Sequence, residues 1–537
     1  MRLFTIILLV ASGVLAQAQQ NKSKLVVGII VDQMRQDYLL RYGSRFGENG
    51  FKRFYNEGFV FQNVHYNYIP TKTACGHASV YSGTTPYMHG IIGNDWYSRE
   101  EGREIYCAED HNYQTVGSQT DNGEMSPKNI KTTTITDELR LIYQFKSKVL
   151  SLSIKDRGAI MPAGSSGTAI WMDKEAGNFI SSTYYMQQLP DWVTKFNNRK
   201  LADKYLRSTW NTKFDIGSYT ASGPDLEPSE TNIDGQMNGF PYDLSTLDKD
   251  YENIIKTPFG NEYLTELVLS ALDNESLGED DITDFLAISF SATDYIGHDN
   301  GPYSVEVEDT YLRLDEELSR IFNRLDEKVG KGNYTVFLTA DHAVATIPQF
   351  LLDRKMNSGY FDKDAVMKQL KEALNEEFGT APWIEEEINN NIYLNHKYFE
   401  ETDVSIDEVK KFIQRFLLTF NGVSEAYTDD EVKAFSHCDD GLKGLLSRGF
   451  NSRRSGDLVF VLDPSWLIAW DTDATGHGSG YTYDTHVPLL WYGAGIKQGK
   501  SFQRHEITQI APTLSMLLGI SLPSGAMDDP IYELLED

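Results

Sequence analysis

The sequence predicts an α/β fold with a mostly parallel central sheet and two insertions. Four apolar runs, Leu25–Val31, Val149–Ile154, Phe285–Phe290 and Tyr334–Leu338, read as strands covered on both faces, because apolar residues fill them almost continuously. Stretches of helical periodicity separate them, the alternation that builds parallel crossovers. Polar residues follow each run, each time with Asp within four positions, at the strand ends where open α/β sheets gather ligands. The 537 residues exceed one small core and fit one large domain carrying insertions, or two to three domains.

Taken in order, the chain opens with Arg2, an apolar run from Leu3 to Leu15, and an Ala16-Gln17-Ala18 cleavage pattern. Residues 1–18 therefore read as a signal peptide and 19–537 as a single mature domain. No Cys stands near the cleavage site to carry a lipid, and no other run of about 18 apolar residues follows, so no stable membrane anchor is expected. A secreted protein is predicted, periplasmic where the host has an outer membrane.

Strand Leu25–Val31 ends at Asp32. The stretch Tyr68–Trp96, YIPTKTACGHASVYSGTTPYMHGIIGNDW, starts as a polar loop, enters a helix, and is broken by Gly83 and Pro86. Thr136 is the expected N-cap of a helix over Asp137–Lys146. Strand Val149–Ile154 runs into Lys155-Asp156-Arg157, and alternate residues extending a strand would aim Lys155 and Arg157 the same way. The pattern loosens over about 158–260, the first insertion. Helix Glu262–Leu272 precedes strand Phe285–Phe290, which leads to Asp294. Helix Glu306–Val329 is amphipathic, with Tyr311, Leu314, Leu318, Ile321, Phe322 and Leu325 on one face. Strand Tyr334–Leu338 runs to Asp341-His342. A second insertion, about 348–454, contains an acidic helix, Lys363–Phe378. Strand patterns return at Leu458–Leu462 and Val487–Trp491, with Thr475-Gly476-His477-Gly478-Ser479 between them, and helix Glu506–Leu518 closes the chain.

Composition narrows the chemistry. The formal charge is −29, with no Lys/Arg-rich run, which argues against nucleic acid as a partner. Cys75, Cys107 and Cys438 make no disulfide framework; one bridged pair and three free thiols both remain open. They also lack zinc-finger spacing, so a metal site must use His and carboxylates.

A carboxylate after a strand is usually a helix cap, and a lone His is usually a structural hydrogen bonder. Here, however, Asp32, Asp294-x-x-x-His298, Asp341-His342 and His477 all follow buried strands or sit in a Gly-rich loop. Asp294 and His298 lie one helical turn apart and can aim at one ion. Three Asp and three His suit two Zn²⁺ ions, which would hold an attacking and a leaving oxygen in line across a phosphoryl centre. Thr73, expected at a helix N-terminus, is the candidate nucleophile. Lys155, Arg157 and the Asn94 amide are candidates for the substrate's remaining oxygens.

The segments around Asp32, TKTACGH, GNDW, KDR, TDYIGH, TADH and TGHGS, in that order, resemble the alkaline phosphatase superfamily, most closely the PafA-type phosphate-irrepressible bacterial alkaline phosphatases. The resemblance covers nearly the whole mature chain and implies an α/β/α sandwich. It implies a covalent phospho-threonine intermediate on Thr73 and hydrolysis of phosphate monoesters. One zinc would be held by Asp294, His298 and His477, the other by Asp32, Asp341, His342 and the Thr73 oxygen. Asn94, Lys155 and Arg157 would contact the transferred group. The nucleophile is Thr where better-known relatives have Ser, and no third, Mg²⁺-binding site is visible. His477 is preferred over His486 as the last ligand because of its flanking glycines.

The nearest alternative is a phosphodiesterase or nucleotide pyrophosphatase of the same superfamily. Lys155-x-Arg157 argues for the monoester, which carries more negative charge. A sulfatase is disfavoured because Cys75-Gly76-His77-Ala78-Ser79 lacks the C-x-P-x-R pattern. A non-catalytic secreted metal-binding protein would leave Thr73 and the two cations without a role. Small phosphate monoesters are the expected partners, and a monomer is the expected state.

Overall fold

The computed structural model describes residues 23–231, 233, 239–468 and 474–535; the signal-peptide reading of 1–18 lies outside them. Its main elements are β1 (Leu25–Val31), β2 (Phe59–His65), α1 (Thr73–Ser82), α2 (Ile135–Ile142), β3 (Val149–Ser153), α3 (Asp156–Ala163), β4 (Thr168–Asp173) and β5 (Asn178–Ser182). They continue with α4 (Phe259–Asn274), β6 (Asp284–Phe290), α5 (Ala292–Asn300), α6 (Val305–Leu325) and β7 (Tyr334–Thr339). After them come α7 (Lys363–Phe378), β8 (Ile384–Ile388), β9 (Asn391–Leu394), α8 (Ile406–Leu417), β10 (Val423–Thr428), β11 (Leu458–Leu462), β12 (His486–Gly493), β13 (Gly499–Ser501) and α9 (Ile510–Leu518).

The central sheet runs β13-β2-β12-β7-β1-β6-β3-β4-β5. Its middle, β7-β1-β6-β3-β4, is parallel throughout. β12 is antiparallel to both β7 and β2, and β5 is antiparallel to β4. β1 and β6 are buried along their whole length, as their apolar runs require. Helices α3 and α4 both pack on β3 and β6, α1 packs on α3, and α6 packs on α4, giving the α/β/α sandwich. The apolar stripe of α6 is buried as its periodicity demands, each such side chain contributing roughly 1.5–3 kcal/mol.

Several local expectations change. The cap of α2 is Thr134, not Thr136: its hydroxyl accepts from Asp137 N–H while Asp137 returns a bond to Thr134 N–H, so the helix starts two residues earlier. Thr136 instead donates to the Pro162 carbonyl. Strand β3 stops at Ser153, so Lys155 and Arg157 do not extend a strand. Lys155 is the N-cap of α3 and Arg157 lies in its first turn. α6 ends at Leu325, and a π-helical turn, Asp326–Gly330, finishes it. β2 is a sheet strand that the apolar-run criterion missed, because Gln62 and Asn63 interrupt it.

Residues 168–182, within the stretch read as the first insertion, form β4 and β5 of the central sheet. The second insertion carries its own sheet, β8-β9-β11-β10, and its own core around Leu370, Trp383, Ile413 and Phe460. Leu458–Leu462 therefore belongs to this smaller sheet and not to the central one. Cys75 and Cys107 are buried free thiols and Cys438 is an exposed one. Among the described residues, no helix is long and apolar enough to cross a membrane.

Candidate active site

The parallel topology brings the singled-out acids and histidines to one end of the sheet. Asp32 follows β1, Lys155 follows β3, Asp294 and His298 stand on α5 after β6, and Asp341-His342 follow β7. They form two triads, Asp32/Asp341/His342 and Asp294/His298/His477, each with its ligand atoms within 4.8 Å of one another. In the first, His342 Nε2 lies 3.5 Å from Asp32 Oδ1 and 3.6 Å from Asp341 Oδ2. In the second, Asp294 Oδ1 lies 3.2 Å from His298 Nε2 and 3.9 Å from His477 Nε2. The His342 and His477 rings stack at 3.5 Å between centroids, so the triads are neighbours.

The donor set fits metal ions on three grounds. Each histidine has Nδ1 against a backbone carbonyl: His298 on Thr475 at 2.7 Å, His477 on Thr71 at 2.7 Å, His342 on Ala343 at 3.0 Å. That backing fixes the tautomer and leaves Nε2 as a lone-pair donor. Burial presses the His342 imidazole down to about 3 and holds His477 well below its ordinary range, so both are neutral, as ligation requires. Finally, Asp32 Oδ1 and Asp341 Oδ2 are buried without a hydrogen-bond partner. An orphaned buried acceptor costs about 1–3 kcal/mol, more when charged, and a cation relieves it.

The carboxylates crowd one another. Burial, then the Asp294 charge, pushes Asp32 up; burial, then Asp32, pushes Asp341 well up. Asp294 goes the other way: burial opposes its ionisation, but Lys155 and His298 overcome it. The Lys155 ammonium is the link, 2.8 Å from Asp32 Oδ2 and 2.5 Å from Asp294 Oδ2. One cation thus touches both triads.

Thr73 is the first residue of α1 and is buried, its Oγ1 3.4 Å from His342 Nε2. It therefore sits on the Asp32/Asp341/His342 side. Gly76 lets the helix come this close, since a Cβ there would collide with the Asp341 carbonyl. Asn94 Oδ1 accepts from Ala74 N–H at 3.0 Å, which anchors Asn94 beside Thr73 and leaves its Nδ2 as a donor. Arg157 Nη1 donates to the Tyr106 hydroxyl at 3.0 Å, and Tyr106 in turn donates to Asp156. Arg157 Nε is buried without a partner, and the guanidinium is in no ion pair among the described residues.

Of the glycines flanking His477, only Gly478 has a conformational reason, a φ of +129. A Cβ on Gly476 would meet open space. His486 stands apart, its Nε2 on the Gln62 carbonyl and its ring stacked on His65.

Sequence reasoning assigned no chemistry to three residues that brace the site. Gln33, at a left-handed φ of 65, donates its N–H to Asp341 and its side-chain amide to Asp294, tying the triads together. Its one signal was adjacency to Asp32. His77 bonds the Thr73 carbonyl and Ser289 Oγ and lies 3.5 Å from Asp341 Oδ2, which makes it a support for the helix turn that carries Thr73. Tyr106 holds Arg157, and nothing in its sequence context marks it.

The sequence profile of the type I phosphodiesterase / nucleotide pyrophosphatase family matches residues 26–486. The chain is 43% identical to alkaline phosphatase PafA of Elizabethkingia meningoseptica, over 98% of each protein. It is also 43% identical to alkaline phosphatase PhoV of Synechococcus elongatus, over 96% of this chain and 93% of that one. The crystal structure of wild-type PafA superposes with a TM-score of 0.93 at 42% identity, covering 96% of this chain and 99% of PafA. The chain belongs to the type I phosphodiesterase / nucleotide pyrophosphatase family, within the alkaline phosphatase superfamily.

Proposed function

We propose that the protein is an exported, zinc-dependent alkaline phosphatase that hydrolyses phosphate monoesters through Thr73. The observation that carries this reading is a buried hydroxyl beside one Asp/Asp/His triad, with a second Asp/His/His triad adjacent and the Lys155 ammonium bridging the two. Asp32, Asp341 and His342, with the Thr73 oxygen, would hold one ion; Asp294, His298 and His477 would hold the other. Mixed imidazole and carboxylate donors favour zinc over Mg²⁺ or Ca²⁺. When bound, the ions supply Lewis-acid charge that lowers the hydroxyl pKa and neutralises charge on the phosphoryl and leaving oxygens.

The chain's own residues do the rest. Thr73 Oγ attacks phosphorus as the bond to the leaving alcohol breaks, and water then hydrolyses the phospho-threonine to release phosphate. Lys155, Arg157 and the Asn94 Nδ2 meet the non-bridging oxygens, where charge builds in the transition state. Two cations match a dianionic monoester better than a monoanionic diester. The names of two near relatives, alkaline phosphatases PafA and PhoV, support the same reading.

The family's name keeps phosphodiester cleavage as the second reading. Comparing kcat/KM for an aryl phosphate, a bis-aryl phosphate and an aryl sulfate decides. The monoester is expected to be fastest. Faster diester cleavage would reverse the ranking, and a zinc-loaded protein inert on all three would point to a metal-binding protein.

A further inference from the structure

A cavity of about 450 Å³ lies between the second insertion and the candidate active site. That volume is within the range of sites that enclose small organic ligands. Its position is asymmetric. His298, Thr475 and His477, on the second triad's side, line one end, whereas Thr73, Asp32, Asp341 and His342 do not line it. In an in-line displacement the nucleophile and the departing oxygen stand on opposite sides of phosphorus. With Thr73 on the first triad, the cavity is on the side where the alcohol leaves.

The walls say what kind of alcohol. Ile69, Phe450, Val459, Val461, Trp466 and Ile468 line the space, five of them from beyond residue 449, in and around the smaller sheet. Two lysines reach it, Lys72 beside His477 at the active-site end and Lys363 in an ion pair. Lys72 Nζ donates to the His477 carbonyl at 3.2 Å, and Lys363 pairs with Glu387 at 2.8 Å. Beyond the active-site end, where Lys72 stands, a second phosphate or a carboxylate on the alcohol would find no unpaired lysine or arginine among the described lining residues. An alkyl or aryl group would replace water against apolar side chains.

We propose that this cavity seats the alcohol portion of the ester, and that the favoured substrates are monophosphates of apolar alcohols. The proposal rests on the phosphomonoesterase reading. The second insertion then has a role: its small sheet supplies a leaving-group wall to a site built by the central sheet.

The test is a homologous series. Methyl, butyl and hexyl phosphate release alcohols of similar acidity, so differences among them report contact and not leaving-group chemistry. For the wild-type protein, kcat/KM should rise at least about tenfold from methyl to hexyl phosphate, given the worth of each buried methylene. Calorimetric Kd values for methylphosphonate and hexylphosphonate, which cannot be hydrolysed, should fall in parallel. Val461→Asn should bring both ratios toward one. Should that variant fail to fold, the wild-type series decides alone. Equal kcat/KM and equal Kd across the series would overturn the proposal while leaving the phosphatase reading intact. Absence of any hydrolysis would overturn the phosphatase reading, and the phosphonate series would still show whether the cavity takes an apolar group.

Discussion

Lys155→Ala removes an ammonium that stands 2.8 Å from one Asp of the first triad and 2.5 Å from the Asp of the second. Its consequences separate into stability and rate. In metal-free protein, Asp32 and Asp294 lose their shared buried counter-charge, and breaking a buried pair in this way costs about 3–5 kcal/mol. Zinc should restore much of that, because the ions take over the carboxylates. The rate effect persists in zinc-loaded protein. A lysine has three donor protons, and the two carboxylates use two, so one remains for a phosphoryl oxygen. A charge-assisted hydrogen bond is worth about 1.5–3 kcal/mol, or roughly ten- to a hundredfold in rate. The monoester, with the extra negative charge, should lose that much in kcat/KM, and the diester less than about tenfold. The assays are kcat/KM on phenyl phosphate and diphenyl phosphate, and melting temperature with and without zinc. Equal losses on the two esters would refute the assignment of Lys155 to the monoester's charge.

Two further outcomes follow from the geometry. His477→Ala should lower zinc content and abolish turnover, whereas His486→Ala, on a backbone carbonyl away from the triads, should retain both; metal analysis of the two proteins checks this. Glu306 lies in the first turn of α6, its Oε1 accepting from Tyr242 at 2.7 Å and its Oε2 buried without a partner. Burial pushes its carboxyl up to about 7, so folding takes up protons between the ordinary carboxylate range and that value, and stability falls as pH rises through the window. Glu306→Gln should remove that decline and raise the melting temperature near pH 8, with little gain near pH 5. A variant melting curve parallel to wild type at both pH values would contradict it.

The parallel core was legible because burial on both faces leaves a plain mark. Leu25–Val31 and Phe285–Phe290 carry continuous apolar runs, and the sheet's topology then sets Asp32 and Asp294 side by side. The residues of the two triads were legible for a related reason, since Asp and His after such strands have few competing roles once several coincide. What failed were features decided by contacts distant in sequence. Thr134 and Thr136 are equally good caps in isolation, and only the Pro162 carbonyl draws Thr136 away. Lys155 and Arg157 read as a strand's continuation, because nothing local shows that the chain turns into α3 at Asp156. Gln33 is invisible as a site residue until Asp341 and Asp294, hundreds of positions away, converge on it. Of the smaller sheet only β11 was legible as a strand, because β8 is largely acidic and β9 is only four residues long.

The central claim is that Thr73 Oγ receives the phosphoryl group. Acid-quenching the zinc-loaded enzyme during turnover of an aryl phosphate, then mapping phosphopeptides by mass spectrometry, tests it directly. The account predicts a phosphorylated peptide spanning Thr73, absent from a Thr73→Ala protein that still binds zinc and no longer turns over. Phosphate on another residue, or full turnover by Thr73→Ala, would contradict it.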